Sequence, residues 1–206
     1  MTADDPYLGR ESVFHFDQMI SAAMEKNRLV AEWTHSNALT PLQKAASEIL
    51  PHAFSLACAV RELIRTGYLF PAEVLIRPLL ERAAVISYLV EVPDSVPLWE
   101  KGWPYKTRPS LAAMLVHMRG AKHEDKETAR LIVDHFNAII HADPSGSYRN
   151  LGTDKEGRTG FASGPNRNSP DACDEICFQC SMYLVIPVAR MVQIFPAIGI
   201  RNASAH

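Results

Sequence analysis

Residues 71–90 of the chain read PAEVLIRPLLERAAVISYLV, and this stretch decides the fold class. Wound as a helix at about 100° per residue, it carries apolar side chains over most of its circumference. The charged residues Glu73, Arg77 and Glu81 share one narrow stripe, because they follow one another at four-residue spacing. A helix that is apolar over so much of its surface lies at the centre of a bundle. The stretch therefore predicts an all-α fold.

The rest of the chain shows the same helical spacing of apolar residues. Thr40 and Gln43 have the spacing of a capping box, which predicts a helix start. Further helices are predicted at residues 11–34, 40–65, 109–119, 124–141 and 170–194. Residues 143–170 are rich in Gly, Ser and Asn and predict a long loop, either a cover over a site or a small hairpin. We expect one domain, 1–206, built as a bundle of five to seven helices with a flexible tail at 197–206.

The charges of the chain nearly cancel, since 21 Lys and Arg against 23 Asp and Glu give a formal net charge of −2. This balance excludes a basic field over the whole molecule, of the kind that holds nonspecific nucleic-acid binders to phosphate. Residues 101–130 nevertheless carry a local excess of basic side chains, and Trp99, Trp103 and Tyr105 are interleaved with them. This segment is either a face for polyanions or an ordinary solvated surface.

Cysteine usage points away from disulfides and metals. Four cysteines are too few for a disulfide scaffold and favour a reducing, cytoplasmic setting. Cys173, Cys177 and Cys180 have the spacing of iron–sulfur cluster ligands, but on a helix the same spacing forms one apolar face. We therefore expect these three side chains in the core, with no metal bound. The chain has no zinc-ligand set, phosphate-binding loop or dinucleotide fingerprint, so no cofactor is predicted.

One stretch, residues 176–200, approaches the apolar length of a membrane span. Arg190, two prolines and several polar residues interrupt it, which favours a buried bundle helix without membrane contact. Residues 1–10 include acidic side chains and lack the basic start and apolar centre of a signal peptide. Both features favour a cytoplasmic protein.

The charged residues of segment 71–90 allow two interpretations. Helical geometry places Arg82 among apolar residues, so its side chain must extend to water or meet a carboxylate or a ligand. Arg77 and Glu81 are one helical turn apart and predict an ion pair. Together the three residues form either a structural ion-pair network or a polar site that faces a ligand.

A second polar centre is predicted at the end of helix 124–141. Asn137 and His141 lie one turn apart on one helical face, where the helix gives way to the glycine-rich loop. A His at a helix C-terminus is stabilised as a cation and titrates near neutrality. His141 is therefore either a general acid or base, with Asn137 beside it, or a structural cap.

Two stretches resemble known bacterial helical proteins: GYLFPAEVLIRPLLERAAVISYL at residues 67–89 and FNAIIHADPS at residues 136–145. Through them the chain resembles the HEPN superfamily, the higher-eukaryote and prokaryote nucleotide-binding domains. The resemblance implies a compact helical bundle that forms homodimers. It also implies a role in bacterial defence or stress, with members that act as metal-independent ribonucleases or bind nucleotides.

The HEPN signature is an Arg followed by a polar residue and, about a turn later, by a His. Asn137 matches the polar position and His141 matches the His, whereas Phe136 stands in place of the Arg. Without that guanidinium the scissile phosphate loses its charge partner in the transition state. Arg77 or Arg82, on a neighbouring helix, could supply the missing charge.

Three functions stay open from the sequence. The first is a HEPN-like protein that acts on RNA or binds a nucleotide, its activity reduced by the change at Phe136. The second is a non-enzymatic helical module for interaction and oligomerisation, and the third is a regulatory binder of a small apolar ligand. Convergence of Arg77, Glu81 and His141 at one open pocket would favour the first, and a sealed ion pair would favour the second.

Overall fold

The computed structural model describes residues 5–118, 126–141, 143–144, 151–153, 156–161, 164–167 and 169–201. The all-α fold is confirmed, since helices account for most of these residues. The helices are α1 (Glu11–Ser36), α2 (Pro41–Arg65), α3 (Leu69–Val74), α4 (Ile76–Glu91), α5 (Val96–Glu100), α6 (Leu111–Met118), α7 (Lys126–Ile140), α8 (Pro170–Ile194) and α9 (Pro196–Arg201). A 3-10 turn at Pro93–Ser95 precedes α5, and two short strands, β1 (Leu151–Thr153) and β2 (Thr159–Phe161), lie between α7 and α8.

Helix α2 begins as its sequence predicts. The Thr40 hydroxyl accepts a hydrogen bond from the Gln43 backbone N–H at 3.3 Å, and the Gln43 side chain accepts one from the Thr40 N–H at 3.0 Å. These two bonds satisfy N–H groups that have no partner within the helix. Gly67 follows the end of α2 with a φ of +83°, a conformation that favours glycine, and a Cβ there would lie only 3.2 Å from the Asn166 carbonyl oxygen.

The segment predicted as one helix at 71–90 is divided in two. Leu75 separates α3 from α4, because Pro78 has no N–H to donate to the carbonyl of Val74 and its ring crowds that carbonyl. Helix α4 then continues to Glu91 as the central helix. It packs against α2, α6 and α8, and its fully buried side chains include Leu79, Leu80, Ala83, Ile86 and Leu89.

The long loop predicted at 143–170 contains a small antiparallel hairpin in its described part. Strands β1 and β2 pair Leu151 with Phe161 and Thr153 with Thr159. After the hairpin, the Asn166 N–H donates to the Gly67 carbonyl at 2.8 Å. The Tyr7 hydroxyl donates to the Asn166 carbonyl, also at 2.8 Å, so the end of the loop is tied to the α2–α3 turn. Loop residues 145–150, 154–155, 162–163 and 168 lie outside the described residues.

The tail expected at 197–206 begins differently. Pro196 starts a new helix, α9, as proline commonly does at a first helical position. Ile198 is buried, and α9 packs against α1 and α8. The described part of this segment, up to Arg201, therefore lies in a helix, and residues 202–206 lie outside the described residues.

Helix α8 is the one helix in the described part of the chain with the length and composition to cross a membrane. One of its faces packs against α1, α2 and α4. Cys173, Cys177 and Cys180 lie on that face, buried and free, so their predicted place in the core is confirmed. This packing is that of a core helix in a bundle.

A polar cluster joins the start of α1 to α8. The Arg10 guanidinium donates to both carboxylate oxygens of Asp174, with its Nε 2.8 Å from Oδ1. The Ser12 hydroxyl donates to the same carboxylate. The hydrogen bonds from Arg10, and with them the one from Ser12, hold the pKa of Asp174 below its ordinary value. The charged form of Asp174 thus stabilises the folded state.

We predict that Asp174 makes stability depend on pH in acid. Because its pKa is lower in the folded than in the unfolded protein, its contribution is full above about pH 4 and is lost as pH falls through the folded value. Asp174→Asn should lower the free energy of unfolding by about 1 kcal/mol or less at pH 7, since the pair is partly exposed. The difference from the parent protein should shrink below about pH 4. Urea denaturation between pH 3 and 7 measures it, with Asp134→Asn in the exposed Arg130–Asp134 pair as the control. A difference that stays constant over this range would contradict the prediction.

Candidate functional site

The charged stripe of segment 71–90 is largely buried, and Arg77 in its middle contacts α7. Glu73, on α3, is buried. Arg77 and Glu81, on α4, are mostly buried, with side chains 15% and 29% exposed. Since α4 is enclosed by other helices, its charged residues lie among packed elements and need polar partners there.

Arg77 makes the contact that joins the two helices. Its guanidinium Nη1 donates to Asn137 Oδ1 on α7 at 2.5 Å, and its Nη2 donates to Glu81 Oε1 at 3.4 Å. Its Nε is buried without a hydrogen-bond partner among the described residues. The structure therefore brings together Arg77, Glu81 and Asn137, three of the residues predicted for the site.

His141 is placed differently from these three residues. Helix α7 ends at Ile140, and the backbone N–H of His141 donates to the Asn137 carbonyl at 2.8 Å. The imidazole is exposed to solvent. His141 thus lies one turn beyond the Arg77–Asn137 contact, at an open helix end. The mostly buried Arg77–Glu81 pair and the exposed His141 match the arrangement that favours the non-enzymatic helical module.

Phe136, where the HEPN resemblance led us to expect an arginine, is packed in the core. Phe136 is buried, and its ring meets the edge of the Tyr183 ring at a centroid distance of 6.0 Å. An arginine at this position would place its charge between α7 and α8, where desolvation of the guanidinium would be costly. The guanidinium that meets Asn137 comes instead from Arg77 on α4.

Arg82 and Glu81 also line a second region, an open cavity of about 320 Å³. Arg82 Nη1 donates to the Pro78 carbonyl at 3.2 Å and lies 3.6 Å from Glu81 Oε2. Two tryptophans and a second arginine complete the wall. We call this region the aromatic–cationic cavity; its lining residues are Ile49, His52, Glu81, Arg82, Val85, Trp99, Trp103 and Arg108.

The backbone after α5 holds Trp103 in an uncommon conformation. Gly102 and Trp103 have φ values of +73° and +54°, and the Trp103 N–H donates to the Leu98 carbonyl at 2.9 Å. A large non-glycine residue with positive φ is uncommon, because its Cβ crowds the backbone. The Trp103 ring lies 6.3 Å from that of Tyr88 on α4. Backbone strain of this kind is found most often at functional sites.

The sequence predicted Trp99 and Trp103 either in a face for polyanions or on an ordinary surface, and did not predict that they share a cavity with Arg82. The sequence feature that could have identified this wall is WEKGW at residues 99–103. Its glycine ends a short helix, and the chain then turns back so that the second tryptophan lies near the first. His52 lines the cavity from α2 and carried no recognisable pattern. Tyr105, the third aromatic residue of the segment, is exposed.

No three His, Cys, Asp or Glu side chains converge as a metal site in the part of the chain that the structure describes. Comparison of the chain with protein-family models, curated proteins and solved structures finds no match. Function must therefore be inferred from the geometry of the Arg77–Asn137 contact and of the aromatic–cationic cavity.

We predict that Arg77 and Asn137 are energetically coupled. Asn137→Leu should cost about 1–3 kcal/mol of unfolding free energy, because it removes a neutral partner from a largely buried guanidinium. Arg77→Met should have a similar cost. The double variant should lose less unfolding free energy than the two single variants together, and the difference, the coupling energy, should be about 1–2 kcal/mol. Urea denaturation of the four proteins measures the cycle. The exposed Arg130–Asp134 pair provides a matched cycle with weak coupling, and equal coupling in the two cycles would contradict the prediction.

Proposed function

We propose that the aromatic–cationic cavity binds a nucleotide, either free or as one residue of an RNA chain. The observation that supports the proposal is that one cavity is lined by two indole rings, Trp99 and Trp103, and by two guanidinium groups, Arg82 and Arg108. Indole rings stack on nucleobases, and arginines bind phosphate with two parallel hydrogen bonds. The cavity thus carries a partner for each chemical part of a nucleotide.

The polar residues of the cavity suggest how the ligand would be oriented. The Arg82 Nη1 donates to the Pro78 carbonyl. Because an arginine has five N–H donors, other N–H groups of Arg82 stay available for phosphate. Glu81 can accept hydrogen bonds from a base amino group or a ribose hydroxyl. Because Glu81 would repel phosphate, the phosphate is expected on the side of Arg108 and the sugar or base near Glu81.

The size of the cavity limits the ligand. A volume of about 320 Å³ is at the lower end for small-molecule sites, which run from about 300 to 1,000 Å³. One nucleotide is of this scale, whereas a dinucleotide cofactor is larger. Since the cavity opens to solvent, a longer RNA could place one residue inside and continue along the surface.

The proposal keeps the nucleotide-binding part of the HEPN resemblance. The protein is then a HEPN-like bacterial protein of defence or stress type, located in the cytoplasm. Its free thiols fit a reducing compartment, including the exposed Cys58. In this proposal Arg77 and Asn137 support the cavity by fixing the position of α4, and Glu81 joins them to it.

A second candidate function is RNA cleavage at His141. The observation that favours it is the contact of Arg77 with Asn137, because it brings a guanidinium to the residue next to the position where HEPN ribonucleases carry one. His141 is exposed, so RNA could reach its imidazole. Here His141 would move a proton, and the mostly buried Arg77 would act by holding Asn137 in place one turn before it.

We predict that the aromatic–cationic cavity gives measurable affinity for ribonucleoside 5′-monophosphates. Trp103→Ala should weaken binding about tenfold or more, since stacking on one aromatic ring is worth about 1–3 kcal/mol. Arg108→Ala should weaken binding of the monophosphates but not of the uncharged nucleosides. Isothermal titration calorimetry with the four monophosphates and their nucleosides measures both effects. Trp33→Phe, at a ring that packs against Phe195 and does not line the cavity, is the control. Absence of binding by all four monophosphates and by a short single-stranded RNA would overturn the proposal.

We predict separately that any RNA cleavage depends on His141. Incubation of the purified protein with total RNA and EDTA should yield fragments, and His141→Ala should reduce the rate at least a hundredfold, the usual scale for general acid–base catalysis. His135→Ala is the matched control, since His135 is also exposed on α7. Equal cleavage by the His141→Ala protein would exclude the catalytic role and would leave nucleotide binding unaffected.

A further inference from the structure

Helix α8 carries an exposed apolar row on the face opposite its buried side. Phe178, Met182, Val185 and Val192 are 64%, 40%, 46% and 39% exposed, and Ala189 between them is also exposed. We call these five residues the α8 row. The functions proposed above do not use it, and none of its residues lines the aromatic–cationic cavity.

The spacing within the α8 row is that of a helix–helix seam. Successive members lie four, three, four and three residues apart, which is the a and d pattern of a coiled coil. This pattern keeps the side chains on one line along the helix for about 21 Å. Scattered apolar residues on a surface are ordinary, but a continuous row at this spacing is typical of a surface that packs against another helix.

A groove beside the row extends the apolar surface. The groove, of about 510 Å³, lies between α7 and α8 and includes Phe178 and Met182. On its α7 side Leu131 is 59% exposed. A side chain projecting from a facing helix could therefore insert between the two helices, as a knob does into a hole.

The charges around the α8 row favour a second copy of this chain as the partner. The positions that flank a and d are uncharged: Gln179, Ser181, Ile186, Val188 and Gln193. Arg190 is largely buried and bonds Glu91 at 2.8 Å. A surface without charged flanks can face its own copy without like-charge repulsion, whereas it offers nothing to select a charged partner.

We propose that two copies of the protein associate through the α8 row, with the two α8 helices antiparallel. In this orientation the two Glu175 side chains lie at opposite ends of the contact, whereas parallel helices would bring them together. The antiparallel arrangement also sets opposite ends of the two helix dipoles side by side. The two-fold axis passes at Val185, the middle of the row.

The size of the surface predicts a dimer of moderate affinity. A row about 21 Å long, together with the width of two packed helices, covers on the order of 400 Å² in projection per copy. Stable specific interfaces bury about 800 Å² per partner, so the dissociation constant is expected in the micromolar range. Measurements must therefore extend to about 100 μM protein, well above a micromolar dissociation constant.

Sedimentation velocity over a concentration series tests the proposal. The parent protein should pass from monomer to dimer, and Val185→Glu should remain monomeric at about 100 μM, because two carboxylates would meet near the axis. Phe14→Glu, at a similarly exposed aromatic residue on α1, should dimerise like the parent. Circular dichroism spectra and melting temperatures verify that each variant is folded. If Val185→Glu does not fold, Met182→Glu replaces it in the test.

A monomeric parent protein at this concentration, or a dimer that both glutamate variants leave intact, would overturn the proposal. So would a monomer that binds phosphatidylcholine vesicles through Val185, since that would assign the row to a membrane surface.

Cysteine cross-linking tests the orientation. In a Cys58→Ser background, which removes the exposed thiol, Val185→Cys should form a disulfide-linked dimer on mild oxidation. Val192→Cys should not, because antiparallel helices with this axis separate the two positions by about 21 Å along the helix direction. Cross-linking of both variants to the same extent would overturn the antiparallel arrangement.

Discussion

Burial of α4 is the constraint on which the rest of this structure depends. The helix is apolar around most of its surface and packs against α2, α6 and α8, so its few charged residues lie where helices meet. A charged group in such a place must find polar partners or extend to water, because leaving it desolvated and unpaired is costly. Arg77 finds polar partners in Asn137 and Glu81, and Arg82 extends to water at the edge of a cavity. The polar features of the protein therefore follow from the position of one helix.

Glu81 connects the two polar regions. One carboxylate oxygen accepts a hydrogen bond from Arg77, and the other lies near Arg82 at the aromatic–cationic cavity. A ligand that contacts Arg82 or Glu81 would thus act on a carboxylate that also helps to hold Arg77, and through Arg77 on the position of α7. Glu81 therefore belongs both to the site proposed for nucleotide binding and to the contact that reaches α7.

Several features were predictable because they depend on neighbours in the sequence. The capping box at Thr40, the central place of α4 and the core face formed by the three α8 cysteines all follow from local spacing. The Arg77–Glu81 pair is likewise one helical turn long. The break at Leu75 and the start of α9 were less visible, since a proline that kinks a helix and one that divides it look alike in sequence. The contact of Arg77 with Asn137 joins residues 60 positions apart, so no local pattern contains it.

The sequence by itself determined the fold class, the central helix and the identity of the residues that carry charge in it, because helical periodicity and capping act over a few residues. Only the tertiary structure decided which of those residues meet. It buried Phe136 against Tyr183, brought Arg77 to Asn137 from another helix, and left His141 exposed. It also brought Trp99 and Trp103 from a proline-rich connector to the wall that Arg82 and Arg108 share. These placements depend on how helices pack across long sequence separations, and side-chain contacts of that kind are set by the whole core.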